Sequence, residues 1–381
     1  MIYLDNNATT RVAPEVFAAM RASLTEAWGN PSSSHALGRA AREAVENARA
    51  QAAKFLGAEA TEVVFTSGGS ESNNWAIGGF LEQHPDQRHI VTTTVEHEAV
   101  RNLCEHLGGF GCEVTWLQVD RNGELDLDDL RRAVRPDTGI VSVMMANNET
   151  GVLFPIEEIG RIVRENSSAV FHVDGVQAVG KIPIQLKSLP VDLFSVSGHK
   201  FHSPKGIGAL YIRKGIKLPP FVIGGGQEGG RRSGTEAVPN IVGFGHACEL
   251  AEHFDGHAQV LSMRDHLEDE VLARFPGATL NGAVARDRRL PNTSNISFPG
   301  HDGGDIAGRL DAAGICVSTG SACHSGSTEI SVVLRAMNVS SEMGRGSIRF
   351  SVGRYNTAAE IESVLLALEN IVGESASHRA A

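Results

Sequence analysis

A glycine-rich turn, an aspartate and a lysine each follow a short apolar run typical of a buried strand. The segment "VVFTSGGSESNN" (63–74) leads through Gly69 and Ser70 into a helix, whose free N–H groups and dipole favour a phosphate. Asp174 ends the run "FHVD", where a carboxylate could hold a protonated ring nitrogen. Lys200 lies in "SVSGHKFHSPKG", and a lysine that loses its solvation has a lowered pKa and can form a Schiff base.

Together these features match the requirements of pyridoxal 5′-phosphate, which needs an anion-binding turn, an acid beside its ring nitrogen and a lysine. Each feature alone also has an ordinary explanation, as a strand–helix turn, a helix cap or a solvated surface charge. Their order and their shared position after strands make the combination specific. A metal site at His199 and His202 is disfavoured, because "HKFH" has no carboxylate or cysteine at matching spacing nearby.

Two more polar residues follow apolar runs. His97 comes after "TTTVE", where an imidazole could stack on the pyridine ring and move protons, or simply open a helix. Asn148, in "MMANNETG", could donate to the phenolic oxygen of the cofactor or to a substrate carboxylate, and turn chemistry would explain it equally well. Both residues are candidates for the same site.

Cys323 lies in "STGSACHSGS" (318–327), among serines and glycines instead of the apolar neighbours typical of a core cysteine. A thiol in a polar loop is available for chemistry, and its thiolate is the reactive form. Cys104 and Cys316 lie within apolar patterns and are predicted to be small buried residues. The five cysteines include no pair at zinc-finger or thioredoxin spacing, which favours free thiols in a reducing cytoplasm.

Strands alternate with helical patterns over the first two thirds of the chain, which predicts an α/β fold with a mostly parallel sheet covered on both faces. Ligands of such folds bind outside the carboxyl ends of the strands, where the polar residues above are found. The β-rich runs are seven, at 62–67, 89–94, 113–119, 139–145, 169–174, 192–197 and 208–213.

The pattern changes near residue 250. A long amphipathic helix near 257–275 precedes short strands near 293–298, 315–318 and 347–352, which indicates a smaller α+β domain. We therefore predict a large domain over 15–250 and a small C-terminal domain formed by 1–14 and 251–381, with Cys323 on a loop at about 318–335.

Composition limits the classes of partner. A chain of 381 residues with 41% apolar residues is typical of a globular protein of two domains. The net charge of −11 disfavours nucleic acid and anionic membranes as partners. The N-terminal "MIYLDNNATT" is unlike a signal peptide, and no apolar run approaches the roughly 20 residues of a membrane span, so we expect a cytoplasmic protein.

The sequence also resembles the cysteine desulfurases, pyridoxal-phosphate enzymes of fold type I that are related to class V aminotransferases. The resemblance covers residues 3 to 354 in order. It implies a large domain with a mixed, mostly parallel seven-stranded sheet, a smaller α+β domain, and a homodimer. The matching blocks are "YLDNNATT", "GNPSSSHALGR", "FTSGGSESNN", "EHEAV", "NNETG", "HVDGVQAVG", "SGHKFHSPKG", "GGGQEGGRRSGT", "GSACHSGS" and "SIRFSVGR".

The resemblance implies a role for each matching residue. Lys200 would form the Schiff base, His97 would stack on the ring as acid and base, and Cys323 would be the catalytic cysteine. The implied cofactor contacts are Gly69, Ser70, His97, Asn148, Asp174, Gln177, Ser197, His199 and Lys200, with Thr235 supplied by the other subunit, and the implied substrate-carboxylate contacts are Asn148 and Arg349.

The implied reaction converts L-cysteine to L-alanine and leaves its sulfur as a persulfide on Cys323. A protein acceptor would then take the sulfur for iron–sulfur cluster assembly, tRNA thiolation or DNA sulfur modification. Two positions leave that acceptor open. His324 stands where threonine or serine is commoner in the family, and Gly229 stands where arginine or asparagine is commoner. The alternatives are a selenocysteine lyase, a thiol-independent class V aminotransferase or lyase, and a non-catalytic sulfur-relay scaffold.

Overall fold

The computed structural model describes residues 1–319 and 330–379, with side chains up to residue 373. Its strands are β1 (Ile2–Tyr3), β2 (Val63–Thr66), β3 (His89–Thr93), β4 (Glu113–Leu117), β5 (Thr138–Met144), β6 (Val170–Asp174), β7 (Leu193–Ser197), β8 (Gly208–Ile212), β9 (Thr279–Leu280), β10 (Thr293–Ser297), β11 (Ile315–Cys316), β12 (Ser318–Thr319) and β13 (Ser347–Ser351).

The helices follow the apolar periodicity of the sequence. They are α1 (Pro14–Thr25), α2 (Ala36–Leu56), α3 (Gly69–Asn74), α4 (Phe80–Gln83), α5 (Glu98–Gly109), α6 (Leu127–Ala133), α7 (Ile156–Asn166), α8 (Val238–Glu252), α9 (His257–Arg274), α10 (Gly303–Ala312), α11 (Val332–Ala336), α12 (Ser341–Arg345) and α13 (Ala358–Arg379). A π-helical turn, Trp75–Gly79, joins α3 to α4. No helix among the described residues is both long enough and apolar enough to cross a membrane.

The large sheet has the strand order β2-β8-β7-β6-β5-β3-β4. Only β8 runs against the others in this sheet, since its pairings with β2 and β7 are antiparallel and the remaining pairings are parallel. The prediction of a mixed, mostly parallel seven-stranded sheet is therefore confirmed. Each predicted run coincides with one of its strands.

Helices cover both faces of this sheet. Alternate residues of each strand therefore pack in different cores. Phe65 and Val141 pack in the core that contains α1, α2, α7 and α8. Val64 and Ile140 pack in the core that contains the π-helical turn, α4 and α5. Burial on both faces explains why these strands are continuous apolar runs instead of alternating ones.

A second region contains a four-stranded antiparallel sheet of order β12-β13-β10-β9 and a parallel pair, β1 with β11. Its core joins Leu4 to apolar residues of α9, α10 and α13. The strand expected over 315–318 is in fact two strands, because the chain leaves β1 after Cys316 and pairs with β13 from Ser318. The domain limits at residues 15 and 250 stay a prediction.

Candidate active site

One cleft of about 180 Å³ lies at the carboxyl ends of the parallel strands. Its lining includes nine residues that the sequence singled out, namely Gly69, Ser70, His97, Asn148, Asp174, Gln177, Ser197, His199 and Lys200. They come from five connections along the chain, so the sheet topology brings them together.

The glycine-rich turn after β2 starts the helical segment of α3. Gly68 has a φ of +153°, a conformation that favours glycine. A Cβ atom at position 69 would lie 2.7 Å from Val176 Cγ2, so Gly69 lets the turn pack closely on the connection after β6. The backbone here is shaped for an anion at the start of a helix.

Glu71, one turn into the same helix, is an acid beside this anion-binding turn. Arg232 donates to both of its oxygens, at 2.8 and 3.1 Å, and the Ser67 N–H donates to Oε2 at 3.0 Å. Burial opposes the charged form, but the hydrogen bonds from Arg232 and Ser67 prevail and lower the pKa of Glu71. Arg232 thus offsets the negative charge of Glu71 near the turn.

Asp174 is buried at the end of β6 and both of its oxygens are held. Asn73 Nδ2 donates to Oδ2 at 2.7 Å, and the Val176 N–H donates to Oδ1 at 3.0 Å. Two donors therefore fix the orientation of the carboxylate. Asn73 was missed as a site residue, although it belongs to the quoted block "SGGSESNN".

Lys200 follows β7, and its Nζ donates to the main-chain oxygens of Asn7 at 2.7 Å and Ala8 at 2.9 Å. Burial, with Arg349 adding to it, lowers the pKa of Lys200 to about 8, although Asp174 and Asp5 oppose the shift. The lysine is therefore prepared to lose its proton near neutral pH.

Asn7 is the second residue that the sequence analysis missed. Its main-chain oxygen also accepts from Gln177 Nε2 at 2.9 Å. Its side chain contacts Asn148 O at 3.2 Å, Lys181 Nζ at 2.9 Å, Asn292 Nδ2 at 3.0 Å and Thr293 Oγ1 at 2.9 Å. The block "YLDNNATT" was the available signal, but its polar residues could not be assigned partners.

His97 is the N-cap of α5, and its Nδ1 accepts from the Ala99 N–H at 3.1 Å. Because Nδ1 accepts, the proton of the neutral ring is on Nε2. His199 Nδ1 lies 3.1 Å from Thr9 Oγ1, and burial, with Lys200 adding to it, lowers the pKa of His199 to about 4. His97 is therefore both the N-cap of α5 and a residue that lines the cleft.

Arg349, on β13, contacts the cleft through Asn148. Its Nη1 donates to Asn148 O at 3.1 Å and its Nη2 donates to Asp5 Oδ1 at 2.7 Å. Its Nε is buried and has no partner among the described residues. A guanidinium with a spare donor beside an asparagine suits a carboxylate ligand.

Two described residues of the predicted site, the buried Arg349 and the exposed Thr235, do not line this cleft. Cys323 lies outside the described residues, as does most of the predicted loop at 318–335.

Comparisons with known proteins agree over nearly the whole chain. The sequence matches the model of the aminotransferase class-V family over residues 2–364. Cysteine desulfurase 2 of Trichormus variabilis is 51% identical over 373 residues, covering 98% of this chain and 93% of that protein. The structure of a NifS-like protein has a TM-score of 0.91 at 39% identity, covering 98% of this chain and 99% of that one. The structure of SspA in complex with cysteine has a TM-score of 0.82 at 34% identity, covering 94% and 100%.

Proposed function

The chain belongs to the aminotransferase class-V family, and we propose that it acts as a pyridoxal 5′-phosphate-dependent cysteine desulfurase. The reaction converts L-cysteine to L-alanine and transfers the sulfur to a thiol of the enzyme. The observation that carries the proposal is the cleft itself, which combines an anion-binding turn at Gly69, a doubly held carboxylate at Asp174 and the low-pKa amine of Lys200.

These residues fit the cofactor. The turn before α3 has a backbone that only glycine at position 68 adopts readily, and it leaves room for a phosphate near Ser70 and Ser197. Asp174 offers a fixed negative charge for the ring nitrogen, and Lys200 offers the amine. When bound, pyridoxal 5′-phosphate supplies a sink for the electron pair left by removal of a substrate α-proton.

The residues of the chain position the substrate and move its protons. Arg349 and Asn148, which are hydrogen-bonded to each other, bind the carboxylate of L-cysteine, and Arg349 supplies the positive charge. Lys200, when its amine is free, is held by Asn7 O and Ala8 O and takes the α-proton as a base. His97 holds a proton on Nε2 at the cleft and can pass it to the leaving product.

Cys323 accepts the sulfur in this proposal. Its thiolate attacks the substrate Sγ, so that a sulfur–sulfur bond forms while the Cβ–Sγ bond breaks. The enzyme gains one sulfur atom as a persulfide, and the electron pair of the broken bond, with a proton, completes the methyl group of alanine. A second thiol, on an acceptor protein, then takes the outer sulfur. The acceptor protein would then deliver the sulfur to iron–sulfur cluster assembly, tRNA thiolation or DNA sulfur modification.

The proposed active form is a homodimer in which Thr235 contacts the cofactor of the partner subunit. Thr235 is exposed and outside the cleft of its own chain, which supports a role in another subunit. Three exposed apolar residues, Phe221, Val222 and Ile223, lie on the same connection between β8 and α8, and Ile223 is 90% exposed. Such a patch is typical of an interface.

Subunit mixing tests the dimer. Chains with Lys200→Ala and chains with Thr235→Asp should each be inactive, the first without its base and the second because a carboxylate repels the phosphate. Hybrids should regain activity, since one of their two sites has Lys200 from one chain and Thr235 from the other. Hybrids without activity would place Thr235 in its own site or outside both sites.

The activity itself is tested by loading the protein with the cofactor and supplying L-cysteine with a thiol reductant. We expect alanine and sulfide in equal amounts, with both lost in Lys200→Ala and retained in the matched control Lys205→Ala, an exposed lysine five residues downstream. Selenocysteine as the only productive substrate would favour a lyase, and transfer of the cysteine amino group to an added keto acid, with the carbon–sulfur bond intact, would favour an aminotransferase. We place the protein in the cytoplasm, which suits the free thiols of the four described cysteines.

A further inference from the structure

Lys181 is a partly buried lysine next to the site, and none of the roles above explains it. It follows the block "HVDGVQAVG", one turn of chain after Gln177. Its Nζ donates to Gln177 Oε1 at 2.6 Å and to Asn7 Oδ1 at 2.9 Å. No carboxylate among the described residues forms an ion pair with it, so its partners are two amide oxygens.

These contacts decide which way the Gln177 amide faces. Lys181 Nζ is a donor and therefore requires the amide oxygen, Oε1, on its side. Asn7 O is an acceptor and requires Nε2, which lies 2.9 Å from it. Nε2 has two N–H groups and only one of them is used among the described residues. The other is available to a ligand, since Gln177 lines the cleft.

The electrostatics agree with this arrangement. Burial lowers the pKa of Lys181 well below its ordinary value, and the nearby cations Lys200 and Arg349 lower it further. The direction of this shift agrees with the contacts, because both partners of Lys181 are neutral amide oxygens.

We propose that Lys181 is a positioning residue that holds the amide of Gln177 so that Nε2 donates to the phenolic oxygen of the bound cofactor. The proposal rests on the proposed function, because the phenolic oxygen belongs to pyridoxal 5′-phosphate. A donor on that oxygen withdraws negative charge from it, so the nitrogen that joins Lys200 to the cofactor loses its proton more easily. Lys181 would therefore lower the pKa of this nitrogen by acting through Gln177.

The test is a pH titration of the visible absorbance of the cofactor bound to Lys200. Lys181→Met frees the Gln177 amide to turn. The apparent pKa of the nitrogen that joins Lys200 to the cofactor should then rise by roughly 0.5–1 pH unit, the equivalent of one hydrogen bond. Lys187→Met is the matched control, because Lys187 is an exposed lysine that pairs with Glu59. It should leave the titration unchanged.

A double-mutant cycle separates an action through Gln177 from a direct effect on Lys200. In a Gln177→Ala background, Lys181→Met should cause no further shift. A shift of full size in that background, or no shift in the wild-type background, would overturn the proposal. If Lys181→Met does not fold, Lys181→Gln replaces it, since its shorter side chain keeps a polar group but cannot reach Gln177. Wild-type protein without any cofactor absorbance would refute the proposed function instead.

Discussion

The Nζ atom of Lys200 lies 2.7 Å from the main-chain oxygen of Asn7, although the two residues are 193 positions apart in the sequence. The lysine of the cleft is therefore held by backbone, not by another side chain. Asn7 in turn is bonded to Asn292 and Thr293, so the N-terminal segment connects Lys200 to the second region of the protein.

Replacing Asn7 by alanine should weaken both the fold and the site. The change keeps the main-chain oxygen but removes the side-chain contacts to Asn148, Lys181, Asn292 and Thr293. Buried groups left without partners should lower the free energy of unfolding by about 1–3 kcal/mol, measured by urea denaturation. Asn370→Ala, on an exposed face of α13, is the control. An Asn7→Ala protein as stable as this control would show that the side-chain contacts of Asn7 contribute nothing to the free energy of unfolding.

The amine of Lys200 should titrate near pH 8 in the cofactor-free protein. Burial and Arg349 disfavour its charged form, so the amine is protonated below pH 8 and neutral above it. The acetylation rate of Lys200 against pH, followed by peptide mass spectrometry, should have its midpoint near 8. Lys187 is the internal reference, because its hydrogen bond to Glu59 raises its pKa. A Lys200 midpoint as high as that of Lys187 would contradict the electrostatic account of the site.

Glu96 should make the protein less stable as the pH rises. Burial, with Asp174 adding to it, raises the pKa of Glu96 to about 8, although the hydrogen bonds from Thr93 and Met144 N oppose the shift. The native protein keeps this proton between pH 5 and 8 while the unfolded chain releases it, so stability falls over that range.

Glu96→Gln removes this titration and keeps an acceptor for Thr93 and Met144. It should match the wild type at about pH 4 and exceed its free energy of unfolding by about 3 kcal/mol at pH 7. Thermal unfolding across the pH range measures the difference, with the exposed Glu82→Gln as control. A difference that does not change with pH would mean that Glu96 is ionised in the native state.

The buried pair of Arg49 and Glu228 should be a major contributor to stability. Arg49 Nη1 lies 2.7 Å from Glu228 Oε2 and donates to Val63 O, while Glu228 Oε2 accepts from Phe65 N. The pair thus covers the open edge of β2. Arg49→Met should cost roughly 3–5 kcal/mol, because it leaves the buried Glu228 without the cation that pairs with it.

The partly exposed pair of Arg274 with Glu270 provides the comparison, and Arg274→Met should cost less than about 1 kcal/mol. Urea denaturation of both variants measures the contrast. Equal losses in the free energy of unfolding would show that the Arg49–Glu228 pair stabilises the protein no more than the Arg274–Glu270 pair does.

The sequence predicted what depends on local pattern. The apolar runs located the strands of the large sheet, and their ends located the cleft, because carboxyl ends of parallel strands meet at one edge. The contacts of Asn7, Asn73 and Lys181 could not be predicted, since they join side chains and backbone far apart along the chain. The break in the strand at 315–318 was missed for the same reason: it depends on pairing with both β1 and β13.

The most direct test of the account is the position of the sulfur after one turnover. Cofactor-loaded protein is mixed with L-cysteine without reductant, and its peptides are examined by mass spectrometry while alanine is counted. We predict one added sulfur on the peptide of Cys323, one alanine per active site, and loss of both in Cys323→Ala but not in the control Cys316→Ser. Equal alanine formation by the wild type and Cys323→Ala, or sulfur on a different residue, would contradict the central claim that Cys323 receives the sulfur.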